Sequence, residues 1–346
     1  MAHDADGADD EGSAEAVSSE QLPLFPMGSA ATASRDASAD RASLDARFEE
    51  LQQVAAALPP TLRMGTSSWS FPGWRGIVYP GASSTSQLAR EGLRDYAKHP
   101  LLRTVGIDRT YYAPVGNEEW ERYASQLPED FVCCIKAPAT ITSYTVPGAG
   151  VPEPNPDFLS AERLLEELIV PCRRYFAGYT GPIILQFPPV SRRAPLDPSA
   201  FAEMLDEFFD RLPRDAEYAV EIRDRSLLTE NYRRVVARNG AVHVCNYWSA
   251  MPMPGEQADL SDHTSAPFTM VRLLLRPGTR YEQQRETMAP FNRVVQQDEH
   301  MRRDTVAVLR RAAAAGQRAF LLVNNKAEGS SPLTIEALAK RLAAAG

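Results

Sequence analysis

A glutamate and an arginine end one short apolar run, Tyr218-Ala-Val-Glu221-Ile-Arg223. Side chains alternate along a strand, so Glu221 and Arg223 share a face with Ala219. Two charges on one face of a buried strand are costly unless they sit at its open end, where they pair with each other or hold a ligand. Lys136 closes a similar run, on the face of Val132 and Cys134. A lysine desolvated there can form a Schiff base. If it stays charged, it holds a phosphate or carboxylate, or pairs with Asp108 or Glu221. Asp108 and Glu221 are the carboxylates suited to general acid–base work or to glycosidic cleavage. The structural alternative for Asp108 is to cap the loop that begins at Thr110. The catalytic candidates are therefore Asp108, Lys136 and Glu221.

Other residues suit binding. Arg223 and Arg272 can take an anionic group bidentately. Gln186, Asn246, Asn324 and Asn325 offer neutral donors and acceptors for a hydroxyl-rich ligand. Trp69 and Tyr112 offer flat faces for a sugar or base, although such rings also serve as core packing. Trp74, between Gly73 and Gly76, reads as the pin of a tight loop. The five histidines (His3, His99, His243, His263, His300) form no H-x-x-x-H or E-x-x-H cluster. No metal is therefore expected, although a carboxylate-only magnesium site stays open. No glycine-rich dinucleotide or phosphate loop occurs, so no cofactor is expected either.

Eight β-branched or apolar runs carry these residues: 62–69, 104–111, 131–137, 182–187, 218–223, 241–247, 268–275 and 319–326. Their bodies are apolar enough to be buried on both faces. Their tips are Ser67, Asp108, Lys136, Gln186, Glu221 with Arg223, Asn246, Arg272, and Asn324 with Asn325. A parallel barrel needs such strands, because their bodies fill the core and their C-terminal ends build the site. Helical patterns alternate with them at 86–98, 117–126, 160–177, 199–211, 229–238, 298–315 and 334–345. Right-handed βαβ crossovers in series can close into a ring. The expected fold is thus α/β, a single (β/α)8 TIM-type barrel over 61–346. The irregular stretches 140–157 and 248–266 should lie over its mouth.

Ahead of the barrel, Leu44, Phe48, Leu51, Ala55 and Leu58 recur at helical spacing. They predict an amphipathic helix over 43–60, capped by Ser43 and stopped by Pro59-Pro60. Residues 1–42 lack the large apolar residues a fold needs and read as a disordered acidic tail.

The 346-residue chain is 44% hydrophobic and 24% charged, ordinary globular usage. Its net charge is −8, and the first 20 residues hold seven acids and no Lys or Arg, which leaves −1 for the rest. Bulk charge therefore does not support nucleic-acid binding. No apolar run approaches the roughly 18 residues of a membrane helix, and the acidic start lacks a secretory signal's regions. Cys133, Cys134, Cys172 and Cys245 show no paired spacing and fit a reducing, cytoplasmic setting.

The opening Gly65-Thr-Ser-Ser-Trp69-Ser-Phe-Pro-Gly-Trp74-Arg-Gly76-Ile-Val-Tyr79-Pro80 resembles that of the YecE-like proteins, domain-of-unknown-function family 72. The resemblance continues through Ile107-Asp-Arg-Thr-Tyr-Tyr112, Phe131-Val-Cys-Cys-Ile-Lys136, Ile141-Thr142, Leu185-Gln186-Phe-Pro-Pro189, Ala219-Val-Glu221-Ile-Arg223, Val271-Arg272 and Val323-Asn324-Asn325-Lys326. It implies a TIM-type barrel and a sugar-isomerase-related label, with no established reaction. The chain departs from that pattern at Gly106 (usually Glu), at Ser143 (commonly His) and in Arg272-Leu-Leu-Leu275, which marks a divergent subfamily.

Three functions fit. One is a metal-independent enzyme, isomerase-like or hydrolase-like, acting on a small sugar-like or phosphorylated substrate. Another is a DNA-maintenance accessory protein. Gln21-Leu22-Pro23-Leu24-Phe25 resembles the peptide by which bacterial proteins bind the replication sliding clamp, with Leu and Phe as anchors. The third is a non-catalytic ligand-binding barrel.

Overall fold

The computed structural model describes residues 30–146, 152–260 and 266–344, with side chains from Asp40 onward. The tail before Ala30, including Gln21–Phe25, lies outside the described residues. Eight parallel strands close a barrel: β1 (Leu62–Thr66), β2 (Thr104–Ile107), β3 (Val132–Lys136), β4 (Thr180–Phe187), β5 (Tyr218–Ile222), β6 (Val242–Tyr247), β7 (Phe268–Leu273) and β8 (Arg318–Val323). Each strand pairs with its neighbours in sequence, and β8 returns to β1. That order follows from short, right-handed crossovers through helices on the outer face. Gly65 is required where β1 meets β2, because a Cβ there would sit 1.8 Å from the Thr104 carbonyl oxygen.

The barrel interior is apolar below and charged above. Cys134, Ile184, Ala219, Val242, Val244, Phe268, Met270, Phe320 and Leu322 form one buried cluster. Register then places Arg272 level with Leu322 and Asn246, and Glu221 level with Gln186. The alternation expected for β3 and β5 thus carries Lys136, Glu221 and Arg223 to the barrel's upper end.

The outer layer departs from simple periodicity in three places. The helix expected over 160–177 runs as Ala161–Leu164, a π turn at Leu165–Ile169, and Val170–Tyr175. Pro171 lacks an N–H to continue the ordinary ladder. The 248–266 connection, expected to be irregular, holds the helix Pro254–Leu260. It begins on proline, which is tolerated at the first helical position. The N-terminal helix spans Ala30–Ala56, starting before Ser43. Its buried Leu44 and Leu51 face inward, Arg47 pairs with Glu336 of the last helix, and Phe48 packs on His99. It lies beside the barrel, against the last helix.

Candidate active site

Glu221 is the hub of the mouth. It is fully buried, accepts from Arg223 Nε at 2.8 Å through Oε1, and accepts from Arg272 Nη1 at 2.5 Å through Oε2. Burial alone would push its carboxyl up. The charges of Arg272, Arg223 and Lys136 outweigh that and draw it down to about 2. Arg272 is itself buried, and its Nη2 reaches Asp108 only at 3.4 Å. Burial would lower Arg272, but Glu221 and Asp108 hold it above its ordinary value. Arg223 stacks on Trp248, 4.2 Å from the ring centre. The strand-end pattern needs these groups around one opening, and the fold brings them there.

Lys136 is buried yet forms no ion pair among the described residues; its ammonium lies 3.5 Å from the centre of the Tyr111 ring. Burial is the main influence on it. Asp108 and Glu221 oppose that effect, Arg272 and Arg223 add to it, and the amine comes down to about 8. Tyr111 was not a sequence candidate. The strand ends at Ile107, and the tight turn Arg109–Tyr111 swings the ring back over the mouth, so no alternation signal pointed to it. Its hydroxyl receives Gln186 Nε2 at 3.4 Å. Tyr112, 80% exposed, stands on the rim against Tyr111.

Several buried polar atoms near these charges have no hydrogen-bond partner among the described residues: Ser67 Oγ, Thr142 Oγ1, Gln186 Oε1, Asn246 Oδ1 and Arg272 Nε. Asn246 donates through Nδ2 to Ile222 O at 2.8 Å. Gln257, another residue the sequence reading missed, grips both backbone groups of Asn246. It comes from the helix that the prolines concealed.

Three candidates serve other contacts. Trp69 donates its indole N–H to Leu88 O and packs on Tyr123, so outer helices engage its ring. Asn324 accepts from Lys326 N and caps a turn. Asn325 accepts from Trp74 Nε1 and from Ser331, tying the first loop to the last helix. Gly106 has a local reason, since a Cβ there would meet the Ser67 carbonyl oxygen at 3.0 Å.

Beside the charged cluster lies a cavity of about 330 Å³, and Tyr111 forms part of its wall. Thr142, Ser143 and Thr145 make one side polar, while Phe158, Phe187 and Phe201 make the other aromatic. Among the described residues, no group of three or more His, Cys, Asp or Glu side chains is placed to hold a metal. No described helix is long and apolar enough to cross a membrane.

Comparison with known proteins gives a family and a fold. A family model described as "Protein of unknown function DUF72" matches residues 63–346. A DUF72 family protein from Thermotoga maritima superposes with a TM-score of 0.57 at 18% identity, covering 81% of this chain and 98% of that one. One from Enterococcus faecalis gives 0.55 at 15% identity, covering 81% and 95%. No curated protein matches.

Proposed function

The chain belongs to the DUF72 family, and from the charge balance at the barrel mouth we propose that it is an enzyme for a small, anionic, hydroxyl-bearing substrate. The observation that carries this reading is an imbalance. Lys136, Arg223 and Arg272 converge with only two carboxylates, Asp108 and Glu221, and Lys136 stays outside every ion pair among the described residues. An anion completes such a cluster, and a sugar phosphate or hydroxy acid fits the unmatched Ser67, Gln186 and Asn246 atoms. Glu221, clamped between two guanidiniums, is best suited to holding Arg223 and Arg272 in place. Asp108, whose side chain is 26% exposed and touches Arg272 only at long range, is the better carrier of protons.

A thermal-shift screen pairing each anion with its neutral parent tests the reading: sugar phosphates against sugars, with chelator present throughout. A ligand that binds only the native state raises the melting temperature. The anionic member should do so and its parent should not, and Lys136→Met should abolish the difference. Equal shifts within every pair, or none for any anion, would count against the reading. Incubation of a hit followed by product analysis separates an enzyme from a binding barrel.

A further inference from the structure

Lysine is scarce in this chain. Of 37 Lys and Arg residues only Lys98, Lys136, Lys326 and Lys340 are lysine. Lys98 pairs with Asp95 and Lys340 with Glu336 at exposed positions, while Lys326 lies 4.0 Å from the Tyr281 ring centre. Lys136 alone is buried. Where a fixed cation must hold an anion or pair with a carboxylate, arginine is the better residue: it is always charged, forked and weakly hydrated. This mouth already uses arginine for that purpose twice, at Arg223 and Arg272. What lysine adds is the capacity to lose a proton and become a nucleophile.

The surroundings favour that state. The amine stands at the top of an apolar barrel interior, on the face of Cys134 and Ile184. It is packed against an aromatic ring instead of a carboxylate. Burial disfavours its charged form most, and Arg272 and Arg223 add to that by repelling its proton. Asp108 is the carboxylate that acts on it most strongly.

We propose that Lys136 is a covalent catalytic residue that forms a Schiff base with an aldehyde or ketone carrying an anionic group, which Arg223 helps to hold. The proposal rests on the anion-binding reading of the mouth and specifies its substrate class. The ammonium first passes a proton through a bridging water to Asp108, which lies outside ion-pair reach of it. The free amine's lone pair attacks the carbonyl carbon, the C–N bond forms, and the carbonyl π pair moves to oxygen. That oxygen takes a proton from the nitrogen, giving a neutral carbinolamine. The C–O bond then breaks as Asp108 returns its proton, water leaves, and the nitrogen lone pair completes the iminium. Ammonium plus carbonyl thus gives iminium plus water, with no oxidant or reductant. The iminium carries the charge that the ammonium carried, so Glu221 and Asp108 face the same electrostatics before and after.

The test is reductive trapping on the full-length protein. Glyoxylate and dihydroxyacetone phosphate serve as probes with sodium cyanoborohydride, and peptide mass mapping reads the adducts at each lysine. An amine near 8 rather than 10.5 holds about two orders of magnitude more free base at neutral pH. Lys136 should therefore be labelled well ahead of Lys98, Lys326 and Lys340, and labelling should decline as pH falls below about 8. Lys136→Arg, which keeps the charge, should lose the adduct but retain the thermal shift given by glycerol phosphate, the carbonyl-free twin. Labelling of the surface lysines with neither probe reaching Lys136 overturns the proposal. If the glycerol phosphate shift persists in that case, only the covalent step falls; if it is absent, the anion site falls too.

Discussion

Two buried arginine–glutamate pairs, Arg302–Glu328 and Arg272–Glu221, stand out among the described residues, and they are built differently. Glu328 lies outside the barrel just after β8. Its Oε1 accepts from Arg302 Nε and Asp298 N, both at 2.8 Å, and its Oε2 accepts from Arg302 Nη2 at 2.7 Å and Thr334 Oγ1 at 2.9 Å. Its carbonyl takes Val295 N and Gln296 N as well. Two helices and the segment leading into one of them are fastened at a single residue, with charge balanced and the carboxylate oxygens matched. Glu221, at the mouth, is equally buried, and the arginines around it draw its carboxyl down. Yet its neighbourhood keeps an extra cation at Lys136 and unmatched atoms on Ser67, Gln186, Asn246 and Arg272. A saturated buried pair holds elements together, whereas an unsaturated one at a barrel's C-terminal end costs stability and leaves capacity for a ligand.

Matched substitutions can break this contrast. The largest effect is expected for Arg302→Met, which strands Glu328 without its cation and should cost about 3–5 kcal/mol by urea denaturation. A loss no greater than that of a surface change would erase the distinction. Lys136→Met should act in the opposite direction, stabilising the fold by about 1–2 kcal/mol near neutral pH, because a desolvated ammonium is removed. A clear loss of stability would show that Lys136 is a structural cation.

Proton linkage sharpens the same point. The folded-state value for Lys136 lies below the unfolded one, so between about 8 and 10.5 the unfolded chain binds the proton that the folded chain has released. Stability due to this group therefore rises with pH across that window. The gap between wild type and Lys136→Met should close there, and parallel denaturation curves over that range would check it. The smallest effect separates two threonines. Thr334→Val removes a donor to Glu328 and should cost about 1–2 kcal/mol, whereas Thr142→Val removes a buried hydroxyl without a described partner and should change stability by less than about 1 kcal/mol.

Much of the site was legible because strand alternation is local. Lys136, Gln186, Glu221, Asn246 and Arg272 sit near strand ends with the parity of the interior, and each falls where period two puts it. The same rule said nothing once a strand had ended. Trp69 and Asn325 lie beyond Thr66 and Val323, and the turns there send them into helix packing. Tyr111 lies beyond Ile107, and there the turn brings a ring onto Lys136. Gln257 was hidden because Pro252 and Pro254 suggested an irregular loop, although proline can open a helix.

From its own order of residues, the chain determined the eight strands, their succession and the polar tips, since hydrophobic periodicity and short crossovers act between near neighbours. Only the closed barrel decided which charges meet. Glu221 takes Arg272 from 51 residues away, and Asp108 approaches that same arginine across 164. Such pairings depend on ring closure and register, and burial at the top of an apolar interior then lowers the proton affinity of Lys136.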